Sequence, residues 1–159
     1  MGVAISGWPL ARAVARLGHL GVVSGTALEI VCARRLQNGD EGGHVRRALA
    51  HFPDAAVAEW ILDAYFVEGG KAPEAAFAAV PRWTLLPSRR LQELTVAATF
   101  VEVFLAKEGH DGPVGVNFLR KIELPIPAAC LGAMLAGVDY VLVGAGNRAD
   151  LPRLLDDLA

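Results

Sequence analysis

Few residues in this chain are of a type that could do chemistry, and their spacing decides which could act together. Asn117 is the first. It stands inside the apolar run 114–118, just after the breaker His110-Asp111-Gly112-Pro113, so its amide must find partners where water is scarce. Either it bonds a neighbouring backbone group, or it is kept for a polar ring at the end of the strand. The second feature is Gly144-Ala145-Gly146-Asn147-Arg148-Ala149, which follows the β-rich run 140–143 and fits G-x-G-x-x-A. Small residues there let a ligand approach the backbone, and the helix behind them offers N–H groups and partial positive charge to an anion. A dinucleotide fingerprint also needs an acid roughly 20 residues later to hold a ribose. Asp156 and Asp157 come too early, and the motif lies on the last strand rather than the first. A tight glycine turn of another βα fold is the preferred reading.

The four histidines invite a catalytic assignment that their positions oppose. His19 and His110 precede strands and so belong to the amino-terminal face, where α/β barrels keep stability rather than chemistry. His44 and His51 have no Cys or acidic partner at metal-ligand spacing. No Ser-His-Asp or Cys-His arrangement is present, and neither Gly7 nor Gly25 opens a nucleophile elbow. Cys32 and Cys130 lie far apart in apolar helical contexts and read as buried, reduced thiols. Arg34-Arg35, Arg46-Arg47 and Arg89-Arg90 read as solvated helical positions separated by acids.

Positioning these groups requires strands and helices. Runs at 20–24, 114–118 and 140–143 predict three short parallel strands, apolar enough to be buried on both faces. Before the first, a helix capped by Ser6 or Gly7 carries the stripe Leu10, Val14 and Leu17, with Arg12 and Arg16 toward water. Between the first and second come helices from Ala27 to Gln37 (face Leu28, Val31, Cys32, Leu36), from Gly42-Gly43 to Ala50, and from Asp54 to Gly69-Gly70. A small helical piece is expected at 73–80. Ser88 caps the longest helix, apolar on two sides and so expected to be covered on two sides. Pro125 and Pro127 open a helix with the stripe Cys130, Leu131, Met134 and Leu135, and Asp150 caps a last one. Segment 114–152 is then a parallel βαβ unit with Asn117 and the glycine turn at its carboxyl end, where such units keep their chemistry.

Composition narrows the function classes. At 159 residues one domain is expected. A net charge of −2 gives no basic footprint, which argues against a nucleic-acid partner. Charged residues interrupt every apolar run before it reaches the length of a membrane span. The N-terminus has no leader-type core, and with the reduced thiols this predicts a cytoplasmic protein.

Four segments carry a resemblance: Met1-Gly2, GVVSGT at 21–26, GVNF at 115–118 and LVGAGNR at 142–148. Together with GWPLARAVARLGHLGVVSG and GAMLAGVDYVLVGAGN they resemble the flavin-binding half of the nitronate monooxygenase (2-nitropropane dioxygenase) family, whose close relatives are flavin-dependent enoyl-acyl carrier protein reductases. The resemblance implies an α/β fold: part of a (β/α)8 TIM barrel, about three parallel strands, holding FMN at their carboxyl ends. It implies one incomplete barrel domain over 1–159, with a long helical insertion at 26–112; because that insertion leaves from the carboxyl end of a strand, it is expected to roof the site in part. By the same likeness Met1 and Gly2 would lie near the isoalloxazine, Asn117 would hydrogen-bond to it, and Ser24 and Gly144 would border its pocket. The family's catalytic histidine and phosphate-binding loops belong to strands beyond residue 159, so no catalytic residue is expected here, nor any metal. A whole barrel takes about 250 residues and eight strands, so the chain reads as a fragment. Its expected function is FMN-dependent oxidation of a small nitronate, with enoyl reduction or a non-catalytic interaction module as alternatives. Its expected partner is a complementing barrel half or a second copy of itself.

Overall fold

The computed structural model describes residues 2–144 and 151–158. In chain order they form α1 (Trp8–Ala15), β1 (Gly21–Ser24), α2 (Leu28–Gln37), a 3-10 turn (Glu41–Gly43), α3 (His44–Leu49), α4 (Ala55–Tyr65), α5 (Arg89–Lys107), β2 (Val114–Leu119), α6 (Ile126–Leu135), β3 (Tyr140–Gly144) and α7 (Leu151–Leu158). The fold is α/β. Its three strands pair in parallel in the order β1-β2-β3, with Val23 beside Val116 and Val116 beside Val141.

Because side chains alternate along a strand, this register sorts the sheet into two faces. Val23, Val114, Val116 and Phe118 point one way and are fully buried. α1, α5 and α6 form the layer over them. A β-carbon on Gly21 would strike the Ala11 carbonyl at 2.0 Å, which seats α1 on this face, and α5 packs against both α1 and α6. The other face carries Val22, Ser24, Gly115, Asn117, Leu119, Tyr140, Leu142 and Gly144. It is open along β3, where Tyr140 is 56% and Leu142 36% exposed, while Ser24 at the β1 end is only 3% exposed. The expectation of strands buried on both faces is therefore corrected, since α1, α5 and α6 share one side.

α5 follows the prediction. Ser88 Oγ accepts from Leu91 N at 3.3 Å, and both apolar sides are buried, from Leu91 and Leu94 through Phe100 and Val103 to Ala106. Two other helices bury different faces from those predicted. In α1 the buried residues are Ala11 and Ala15, while Leu10 and Leu17 are exposed. The helix backbone lies directly on Gly21 and on Gly112, whose β-carbon would meet the Ala15 carbonyl at 1.9 Å, so only alanine fits between. In α6 the face against α5 is Ala129, Cys130, Gly132 and Ala133, with Leu135 exposed. A β-carbon on Gly132 would meet the Val96 carbonyl at 2.1 Å. Segment 73–80 forms turns and extended chain rather than the expected helix. Gln37 holds it in place, accepting from Ala78 N at 2.5 Å.

Candidate functional site

The carboxyl end of the open face gathers the strand residues singled out in the sequence. Ser24 and Asn117 are register partners, and Leu142 completes their row. Gly144 stands one row further on, beside Leu119. Asn117 sits centrally in this row. Its backbone carbonyl accepts from Gly25 N at 2.9 Å, continuing the ladder past Ser24, yet its side-chain Oδ1 is buried with no hydrogen-bond partner. Of the two readings open from the sequence, an amide satisfied by neighbouring backbone does not describe this oxygen.

The outer edge of β1 is closed by the N-terminal segment. Ser24 N donates to the Ser6 carbonyl at 2.8 Å, and Ser6 Oγ donates to the Val22 carbonyl at 2.5 Å. Gly2 opens the exposed turn that leads into Ser6, with its carbonyl facing Ile5 N. Met1 and the remainder of the glycine motif, 145–149, lie outside the described residues, as does the expected Asp150 cap.

Behind the row, three helices are pinned by one carboxylate. Glu102 of α5, with a side chain only 3% exposed, accepts from Trp8 N at 2.8 Å and from Arg35 of α2. The solvated reading of the arginine pairs holds for Arg34, Arg46, Arg89 and Arg90, which are exposed, and is corrected for Arg35 and Arg47, which are half-buried in ion pairs. Arg35 pairs with Glu102, Arg46 Nε lies 3.2 Å from Asp40, and Arg47 grips Glu108 with two bonds of 2.9 Å. Asp40 is buried and also accepts from Val45 N and Arg46 N, capping α3.

Glu29 was not among the sequence candidates. It is 6% exposed in the first turn of α2, five residues past Ser24, and burial pushes its carboxyl pKa up, opposed only by its own backbone N–H. The face actually buried in α2 is Leu28, Glu29, Cys32, Ala33, Leu36 and Gln37. On a helix Glu29 falls within that arc, at i−3, i−4 and i−7 from Cys32, Ala33 and Leu36. Val31, which the expected face included, is only half-buried.

The histidines have packing roles. His110 bridges the Ala106 carbonyl (2.7 Å) and Gly112 N (3.1 Å), which sets its neutral tautomer. His44 lies against Trp8, and His51 stacks on Phe104. Burial raises the Cys32 thiol to about 12 and that of Cys130 to about 11, so both are unreactive protonated thiols. Among the described residues no cluster of three or more His, Cys, Asp or Glu could hold a metal ion. No described helix is long and apolar enough to cross a membrane. Beneath the strand tips, on the helix side, Gly25, Ala27, Phe118, Ile126 and Ala129 close around a cavity of only about 10 Å³. A ligand for Asn117 would therefore belong on the open face. Comparison with protein-family models, with curated proteins and with solved structures finds no match in any of the three.

Proposed function

We propose that this chain supplies three strands of an FMN-binding (β/α)8 barrel and takes part in the oxidation of a small nitronate, as nitronate monooxygenases do. The observation that carries the reading is the unpartnered Asn117 Oδ1 at the carboxyl end of a parallel sheet whose other face alone carries α1, α5 and α6. Doubly wound sheets put helices on both faces and reverse strand order at a switch point. Here the order is sequential and the crossover helices α5 and α6 lie on one side together with α1, the winding from which barrels are built.

The residues present fit a flavin. A buried carbonyl oxygen lacking a donor calls for an N–H, and the pyrimidine ring of isoalloxazine offers one. Ser24 in the same row and the side-chain-free Gly144 one row on leave room for a planar ring to lie across the strand tips. When bound, FMN supplies the two-electron redox chemistry. This chain's part is to hold and polarise the ring through Asn117 and to keep water from behind it with the layer α1, α5 and α6. The proton on the substrate carbon goes to a base that Ser24, Asn117 and Gly144 do not provide.

An FMN titration of the 15N-labelled chain tests the reading. With only one wall of the site, binding is expected to be weak, with Kd on the order of 0.1–1 mM. Shifts should concentrate on the Asn117 side-chain amide and on Gly25, Leu119 and Gly144, and Asn117→Ala should weaken binding about tenfold. Shifts that avoid these residues, or none at all at millimolar FMN, would remove the flavin reading.

A further inference from the structure

The longest irregular stretch among the described residues joins α4 to α5, and its two ends are tied while its middle is not. Upstream, Lys71 N donates to the Gln37 carbonyl at 2.7 Å, and the Gln37 side chain holds Ala78. Downstream, Gln92 Nε2 donates to the Pro87 carbonyl at 3.3 Å, and Ser88 caps α5. Between these ties the backbone of Ala79, Val80, Pro81, Arg82 and Trp83 makes no hydrogen bond among the described residues. Even the buried Trp83 indole N–H has no acceptor. The chain runs from Ala76 to Thr84 without a turn or a bend, and Arg82 is exposed.

An endopeptidase takes its substrate as an extended strand and pairs the substrate backbone with its own. Helices and paired strands deny it that backbone, so the free donors and acceptors of 79–83 decide where a cut can fall. Side-chain type then decides what kind of enzyme makes it. Of the cations in irregular chain, Arg82 is the one whose flanking backbone is unbonded on both sides. Arg16 N bonds the Arg12 carbonyl, Lys71 N that of Gln37 and Arg120 N that of Gly144, and Ile122 N bonds back to Leu119 across Lys121. The other described lysines and arginines lie in helices.

We propose that Arg82 is a site of limited proteolysis, cut by an endopeptidase that selects arginine. Water adds across the Arg82–Trp83 peptide bond, leaving a carboxylate on Arg82 and an ammonium on Trp83. The two pieces, 1–82 and 83–159, stay together. β1 of the first pairs with β2 of the second, Trp8 N and Arg35 bond Glu102, and Arg47 grips Glu108. The cut thus releases the connector and leaves the sheet, with its Asn117 row, in place. It does not depend on any ligand at that row.

Trypsin at a low ratio on the intact folded chain, read by mass spectrometry, tests this. The first cut is expected after Arg82, at least ~10-fold faster than the next. Relative to a small arginyl peptide in the same solution, its rate should be unchanged by about 1 M urea, because no opening of the fold precedes it. Arg82→Gln should slow the first cut by ~10-fold or more. The nicked chain should keep the parent's gel-filtration volume and far-UV circular dichroism. The proposal is overturned by a first cut elsewhere, by a rate that climbs steeply with urea, or by an Arg82→Gln chain cut as fast as the parent. Pieces that separate without denaturant, or an uncut chain that inhibits trypsin, overturn it as well.

Discussion

A buried acceptor with no donor costs about 1–3 kcal/mol, and Asn117 Oδ1 bears that cost at the centre of the sheet. Replacing it with an apolar residue of like size removes the unpaired oxygen along with its use. Asn117→Leu should therefore leave urea stability unchanged or raise it by about 1 kcal/mol, while abolishing the FMN-induced shifts. A marked loss of stability would mean the amide serves the fold. Glu29 makes a prediction in pH. Its folded-state pKa is raised above the ordinary value near 4.5, so between that value and the raised one the native chain keeps a proton that the unfolded chain has released. Stability must fall as pH rises through this window, and the loss persists above it. Glu29→Gln should flatten that slope and be more stable than the parent at neutral pH; urea midpoints at roughly pH 4 and pH 7 read both. Parallel curves for the two chains would mean that Glu29 is solvated after all. Asn117 was legible in the sequence because an amide in an apolar run advertises a debt. Glu29 shares the helical spacing of Cys32, Ala33 and Leu36, but a carboxylate in a helix's first turn has a sufficient reason to be there in the helix dipole alone, which masks its burial.

At the scale of elements, the sequence located strands and most helices well and helix faces poorly. Strand limits and the Asp54 and Ser88 caps follow from local chemistry, and both caps are formed, by bonds of 3.1 and 3.3 Å. Helix faces depend on how near the neighbouring backbone comes, which no local pattern encodes. α1 and α6 lie so close to their neighbours that alanine and glycine fill the contact, leaving Leu10, Leu17 and Leu135 to water. Gly132→Ala should therefore cost about 2 kcal/mol or more despite favouring helix, because its methyl would meet the α5 backbone, which cannot yield as a side chain could. A stabilising effect in thermal melts would show the α5–α6 contact to be looser than described. The Arg35–Glu102 pair should respond unequally. Arg35→Ala strands a carboxylate whose side chain is only 3% exposed and should cost about 3 kcal/mol or more. Glu102→Gln keeps an acceptor for Trp8 N and frees an arginine that already reaches water, so about 1–2 kcal/mol is expected. Equal losses in chemical denaturation would contradict the asymmetry.

For the molecule as a whole, three parallel strands were legible in the sequence, and they lie side by side in chain order although α2, the 3-10 turn, α3, α4 and α5 intervene between β1 and β2. The open face was not. Tyr140-Val141-Leu142-Val143 is equally apolar whether one side or both are covered, so composition alone implied two covered faces where the helix layer supplies one. This arrangement makes stability uneven across the sheet. β2 has a strand on each side and α5 behind it, and Val114, Val116 and Phe118 are fully buried. β3 is paired only with β2 among the described residues, and every second side chain faces water. Opening β3 exposes little apolar area that is not already exposed, whereas opening β2 dismantles the core. Amide hydrogen exchange should accordingly show β2 exchanging only with global unfolding, and β3 at least ~100-fold faster through local opening. Equal protection of β2 and β3 would show that the outer edge of β3 is covered within the single chain.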